Sequence, residues 1–172
     1  NYLFSDIHAR GKYPNYIKRY FKDNGIKIQF APGDEEILKN TVDFISFSYY
    51  SSSCVAADTK GLEMSAGNTE TAIKNPYIPS SDWGWQIDPI GLRISCVDLY
   101  DRYRKPLFIV ENGTGTNEVY VEGKEINDER HIEYYREHIK ALKDAVIIDG
   151  VDLMGYTTWG CIDLLSASSC QM

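Results

Sequence analysis

Apolar residues in this 172-residue chain fall into two patterns: short continuous runs, and stretches in which they recur every three or four positions. The first pattern predicts strands and the second helices. Three runs are strand-like. Residues 42–50, VDFISFSYY, are rich in aromatic and β-branched types, with polar groups gathered toward the C-terminal end. Residues 107–110, LFIV, are continuously apolar, as in a strand covered on both faces, and 151–157, VDLMGYT, form the third. A helix is predicted over 14–23, with Pro14 in a first-turn position and Asn24-Gly25 able to end it. Another is predicted over 34–39, where Asp34, Glu35 and Glu36 suit the positive end of the helix dipole. Asp88-Pro89 opens a third, running to about Arg104, with Leu92, Val97 and Leu99 turned inward. The fourth covers 128–146, with Ile132, Tyr135, Ile139, Leu142 and Val146 on one face and Asp149-Gly150 closing it. Between Ser51 and Asp88 the composition loosens into Ser, Ala, Gly, Asn and Pro. Such a connection is far longer than the roughly 2 to 6 residues usual between elements, which marks a functional or mobile excursion.

Strands alternating with helices give an α/β fold with a parallel sheet and right-handed crossovers. Such sheets place their chemistry beyond the C-terminal ends of the strands. Ser48, Tyr49 and Tyr50 end the first strand, Glu111 and Asn112 end the second, and Thr157, Thr158 and Trp159 end the third. A carboxylate, phenols and an indole converging on one mouth suit a carbohydrate, because the rings can stack on sugar C–H faces while the acid serves anomeric chemistry. A plainer alternative is that Asn112-Gly113 is only a turn and Glu111 a solvated strand end. Spacing by itself leaves both open.

A content of 43% hydrophobic and 25% charged residues fits one ordinary globular domain and argues against disorder. The net charge of -7 excludes a general grip on the nucleic-acid backbone and a basic membrane-binding face. No run approaches the roughly 18 apolar residues of a membrane span, and the first residues lack the apolar core of a signal peptide. The expectation is a cytoplasmic protein with neither nucleic acid nor membrane as partner. Cys54, Cys96, Cys161 and Cys170 are widely spread without a CxxC pair, and His8, His131 and His138 lack zinc spacing. Free thiols and no metal site follow.

Residues 109–113, IVENG, resemble the nucleophile motif of glycoside hydrolase family 1, retaining β-glycosidases built on a (β/α)8 barrel. The similarity extends along the chain through FISFSYY at 44–50, WGWQIDP at 83–89 with Gly91-Leu92, KPLF at 105–108 and DGVDLMGYTTWG at 149–160. The resemblance implies that Glu111 is the nucleophile and that Tyr50 hydrogen-bonds and orients it, where a barrel-packing aromatic is the alternative. The family's acid/base lies in an Asn-Glu-Pro motif that does not occur here, and Asn117-Glu118, followed by Val119, is no substitute. A barrel of this kind needs about 250 residues, so the three strands seen here are a part of its eight. The chain therefore reads as a single partial domain over 1–172, the C-terminal portion of a barrel, ending before the family's usual terminus.

The resemblance also narrows the substrate. Family members acting on plain sugars carry Glu-Trp seven and eight residues after a Trp like Trp159, where this chain has Ser166 and Ala167. Losing that carboxylate removes repulsion toward a phosphate and leaves a hydroxyl donor. This pattern resembles the 6-phospho-β-glucosidase branch, with Ser166 beside the phosphate and Ala167 favouring the gluco series. Ser48, where plain-sugar enzymes often have Asn, points the same way. Trp159 is expected under the sugar ring, and Trp83 and Trp85 either on the aglycone side or packed between helices. The implied partners are a phosphorylated disaccharide or an aryl β-glucoside, with either the N-terminal part of the same barrel or a second copy of the chain, and no cofactor. The remaining readings are a 6-phospho-β-galactosidase, a plain β-glucosidase, or a non-catalytic sugar-binding fragment.

Overall fold

In the computed structural model, residues 2–65, 72–118, 121–160 and 162 are described. Three strands form one sheet in sequence order: β1 (Ile45–Tyr49), β2 (Leu107–Asn112) and β3 (Leu153–Tyr156). Both pairings are parallel, as the alternation with helices predicts. Helices α1 (Leu3–Arg10), α2 (Asn15–Asp23) and α3 (Asp34–Leu38) precede β1, α4 (Pro89–Tyr103) joins β1 to β2, and α5 (Glu129–Ile147) joins β2 to β3.

Local chemistry sets the helix ends. Asp88 Oδ1 accepts from the Gly91 N–H at 2.8 Å, and Pro89, which has no N–H to lose, occupies the first turn of α4. α4 and α5 lie side by side over one face of the sheet. There Leu92 and Cys96 of α4 and Leu142 and Ala145 of α5 bury against Ile45, Leu107 and Ile109. Complete burial of Leu92, Leu107 and Ile109 contributes about 1.5 to 3 kcal/mol each. Arg93 locks the helix pair from outside, donating to both oxygens of Asp149 at 2.6 and 2.9 Å.

The face that α5 buries differs from the sequence expectation. Tyr134, His138, Ala141, Leu142 and Ala145 point inward, whereas Ile132, Ile139 and Val146 are exposed. The helix carries two apolar stripes, and the one rich in small and aromatic residues allows the closer approach to α4 and the sheet.

α1 was not anticipated, because its inward position is a carboxylate. Asp6 is only 1% exposed and accepts from Arg102 at 2.9 and 2.7 Å, from Tyr103 at 3.1 Å and from Tyr16 at 3.1 Å. Burial would raise its pKa, but the hydrogen bonds from Arg102, Tyr16 and Tyr103 outweigh that and hold it below the ordinary carboxylate range. One buried charge thus pins α1 and α2 to α4.

The sheet is open. Among the described residues β1 and β3 each pair only with β2, and the face opposite α4 and α5 presents Ser46, Ser48 and Val110 to solvent. Phe4, Tyr20, Ile28, Phe30 and Ile37 are likewise exposed around α1 to α3.

Candidate active site

The site forms at the C-terminal ends of the strands, and a break in strand register creates it. Phe47 pairs with Ile109, but Ser48 pairs with Glu111, so β2 contains one extra residue, Val110. Side chains alternate faces along a strand, and a bulge of one residue reverses that alternation. Burial along β2 accordingly falls on Leu107, Ile109 and then Asn112. Without the bulge, Glu111 would share the helix-covered face with Leu107 and Ile109. With it, Glu111 is half-buried at the mouth and Asn112 turns inward.

Glu111 meets the end of β1. Ser48 Oγ donates to Glu111 Oε2 at 3.0 Å and the Tyr50 hydroxyl donates to the same oxygen at 2.9 Å. Oε1 accepts no hydrogen bond among the described residues. Burial, followed by the bond to Glu111, pushes the Tyr50 hydroxyl well above the ordinary phenol range, so it stays a donor throughout neutral pH. Tyr50 continues into an aromatic wall, with Trp85 edge-on to it at 5.7 Å and Trp83 edge-on to Trp85 at 5.7 Å. The Trp83 indole donates to Asn117 Oδ1 at 2.9 Å, and a Cβ at Gly115 would collide with its ring. The loop after β2 is thereby clipped to the long connection after β1.

Trp159 reaches the same mouth from β3. Its backbone N–H donates to the Asn112 carbonyl at 2.8 Å, its own carbonyl would meet any Cβ at Gly113, and the residue is 51% exposed. The structure therefore brings Ser48, Tyr50, Glu111 and Trp159 to one end of the sheet. Ser166 and Ala167 lie outside the described residues.

Asn112 is the last residue of β2, as the strand-end reading has it and not only a turn, and the sequence gives no sign that it is fully buried. Its Nδ2 donates to the Tyr49 carbonyl at 2.7 Å and to the Tyr134 hydroxyl at 2.9 Å, and its Oδ1 accepts from the Tyr156 hydroxyl at 2.7 Å. Glu118, Asp128 and His131 bring potential ligand atoms within 4.8 Å of one another. His131 Nδ1, however, faces Asp128 Oδ1 at 2.7 Å and Nε2 faces the Thr114 carbonyl at 3.1 Å, so both ring nitrogens already bind oxygen and staple the loop to α5. Cys54 and Cys96 are free thiols, and burial pushes Cys96 up to about 12. No helix among the described residues is long and apolar enough to cross a membrane.

Residues 1–171 match Glycosyl hydrolase family 1. The chain is 56% identical over 172 residues to the 6-phospho-beta-glucosidase AscB of Escherichia coli, covering 100% of this chain and 36% of that protein. It is 55% identical over 171 residues to the aryl-phospho-beta-D-glucosidase BglH of Bacillus subtilis, covering 99% of this chain and 36% of that protein. Among solved structures, the psychrophilic beta-glucosidase BglU of Micrococcus antarcticus superposes with a TM-score of 0.76 at 27% identity, over 92% of this chain and 37% of that one. The chain thus spans a little over a third of the relatives it matches, and its parallel sheet and helices are part of a (β/α)8 barrel.

Proposed function

Because the chain belongs to glycosyl hydrolase family 1, we propose that it acts within a whole protein that is a retaining β-glycoside hydrolase, cleaving 6-phospho-β-D-glucosides such as cellobiose 6-phosphate or aryl analogues. The residues described here are a sector of one partial domain over 1–172. They supply the nucleophile, while the acid/base comes from the remainder of the barrel. The reading rests above all on the convergence of Ser48 and Tyr50 on a single oxygen of Glu111.

That geometry divides the labour between the two carboxylate oxygens. Donors on Oε2 fix the plane of the group, and Oε1 is left to attack the anomeric carbon. In the first step the C1–Oε1 bond forms as the bond to the aglycone oxygen breaks, with a proton delivered to that oxygen by the acid/base about 5 Å away. In the second step water, deprotonated by the same group, attacks C1, and Glu111 departs as a carboxylate toward which Ser48 and Tyr50 are already aimed. Trp159 lies under the sugar ring, Ser166 binds the 6-phosphate and the small Ala167 favours the gluco series, a reading supported by the names of the two phosphoglucosidase relatives. A phosphorylated sugar does not cross a membrane unaided, which fits a cytoplasmic setting.

Turnover of p-nitrophenyl β-glucoside 6-phosphate, its galacto epimer and the plain glucoside by the complete protein tests this reading. The phosphoglucoside is expected to lead in kcat/KM, and Glu111→Gln to abolish turnover of it. Equal kcat/KM on phosphorylated and plain glucosides removes the phosphate assignment, and near-native turnover by Glu111→Gln removes the nucleophile assignment.

A further inference from the structure

We infer that the buried Asn112 amide, held between the hydroxyls of Tyr134 and Tyr156, is a positioning device that sets the distance between Glu111 and its two donors at the end of β1, Ser48 and Tyr50. The inference rests on Glu111 being the nucleophile, as proposed above, and adds three residues that never touch substrate.

The need for such a device comes from the bulge. Glu111 sits on β2 just past the register break, Ser48 sits on β1 beyond the same break, and Tyr50 follows the last residue of β1. A regular ladder would fix the strand separation there; a bulge loosens it. Asn112 spans the gap with a side-chain bond to the Tyr49 carbonyl at 2.7 Å, between Ser48 and Tyr50, the two residues that grip Glu111. The second N–H goes to the Tyr134 hydroxyl at 2.9 Å, and that hydroxyl donates onward to the Tyr50 carbonyl at 3.3 Å. Both neighbours of the Glu111–Tyr50 contact are therefore held from behind.

The amide has one workable orientation. Turning it over would set Oδ1 against the Tyr49 carbonyl, acceptor against acceptor, and Tyr156 donating to Oδ1 at 2.7 Å from β3 reinforces the observed choice. The supports are themselves rigid. Tyr134 is 2% exposed and its ring stacks on His138 at 3.9 Å between centroids. The Asn112 carbonyl accepts from the Trp159 N–H, so the same residue ties in the exit of β3. A fully buried amide is costly unless every polar atom is satisfied, and an apolar residue would fill the space at less risk. What the amide adds is fixed geometry, and misplacement of a reacting group by a fraction of an ångström is enough to slow chemistry.

The test uses the complete protein and a 2-deoxy-2-fluoro-β-glucoside 6-phosphate with a dinitrophenolate leaving group. Attack forms the C1–Oε1 ester, breaks the C1–aryl oxygen bond and releases the phenolate, and the fluorine makes hydrolysis slow. Stoichiometry counts correctly folded sites, and the labelling rate constant reports how well the nucleophile is placed. Tyr134→Phe and Tyr156→Phe each remove one oxygen and keep the ring. Both are expected to label to about one per chain with rate constants about threefold below wild type, no larger a loss than Tyr50→Phe causes in the same step. Tyr134→Phe combined with Tyr50→Phe should lose less than the product of the two single effects, because the two act on one contact. Wild-type labelling rates in both variants overturn the inference. So does a loss confined to the labelled fraction, or failure of both to fold, since each marks a purely structural role. If the wild type itself is not labelled at Glu111, the nucleophile assignment fails, an outcome distinct from the others.

Discussion

Replacing Tyr50 by Phe removes the hydroxyl that donates to Glu111 Oε2 at 2.9 Å and keeps the ring against Trp85. Ser48 Oγ stays at 3.0 Å, so one of two donors survives. The two chemical steps should respond differently. During attack, negative charge leaves the carboxylate, and the lost donor matters chiefly for orientation. During hydrolysis of the glycosyl ester, the carboxylate is the leaving group and regains full charge, so a donor aimed at it stabilises the transition state. A hydrogen bond to a charged group contributes about 1.5 to 3 kcal/mol, and with Ser48 in place the lower end applies, about a tenfold slowing. A dinitrophenyl 6-phosphoglucoside makes hydrolysis of the ester rate-limiting, and rapid-mixing kinetics then separate the steps. Tyr50→Phe should retain a burst of about one phenolate per site, slow the burst less than the steady state, and lower kcat about tenfold. A kcat within twofold of wild type, or a burst slowed more than the steady state, refutes the reasoning.

Three further outcomes follow from other parts of the structure. Asp6→Asn in the complete protein should cost about 3 kcal/mol at pH 6, because it breaks a buried pair with Arg102. The folded-state pKa of Asp6 is depressed, so its stabilisation is complete above the unfolded value of about 3.9 and is lost as pH falls through the folded value. Urea midpoints of the two proteins should therefore converge below about pH 4, and a constant gap would contradict the assignment. Gly115→Ala should push Trp83 off its seat and change the ratio of kcat/KM between aryl and disaccharide phosphoglucosides while leaving the preference for phosphate intact; an unchanged ratio would remove Trp83 from the aglycone side. Cys96, fully buried and with its pKa raised by burial, should resist iodoacetamide at pH 8 in the folded protein and react once it is unfolded. Modification at equal rates in both states would show that α4 does not pack as described.

Much of the site is legible in the sequence because strand ends are. The apolar runs locate three parallel strands, and parallel α/β geometry then brings Tyr50, Glu111 and Trp159 to one end before any contact is known. What stays hidden is whatever breaks a period. The extra residue Val110 leaves no mark on a four-residue apolar run, yet it decides that Glu111 faces the mouth and Asn112 the interior. α5 has two apolar stripes, and periodicity cannot choose between them when the buried one is built from Tyr134, His138 and alanines. α1 escapes for a related reason, since its inward position is Asp6, a charge made tolerable by partners nearly one hundred residues away in sequence. In each case the deciding partner is distant along the chain, and local pattern carries no information about it.

The central claim is that Glu111 forms a covalent bond to the sugar. Digestion of the complete protein after trapping with the fluorinated phosphoglucoside, followed by mass spectrometry of the peptides, tests it most directly. The account predicts one added 2-fluoroglucosyl 6-phosphate per chain, on the tryptic peptide spanning residues 105–124 and fragmenting to Glu111. A label on any other carboxylate, or full inactivation without a covalent label, would contradict it.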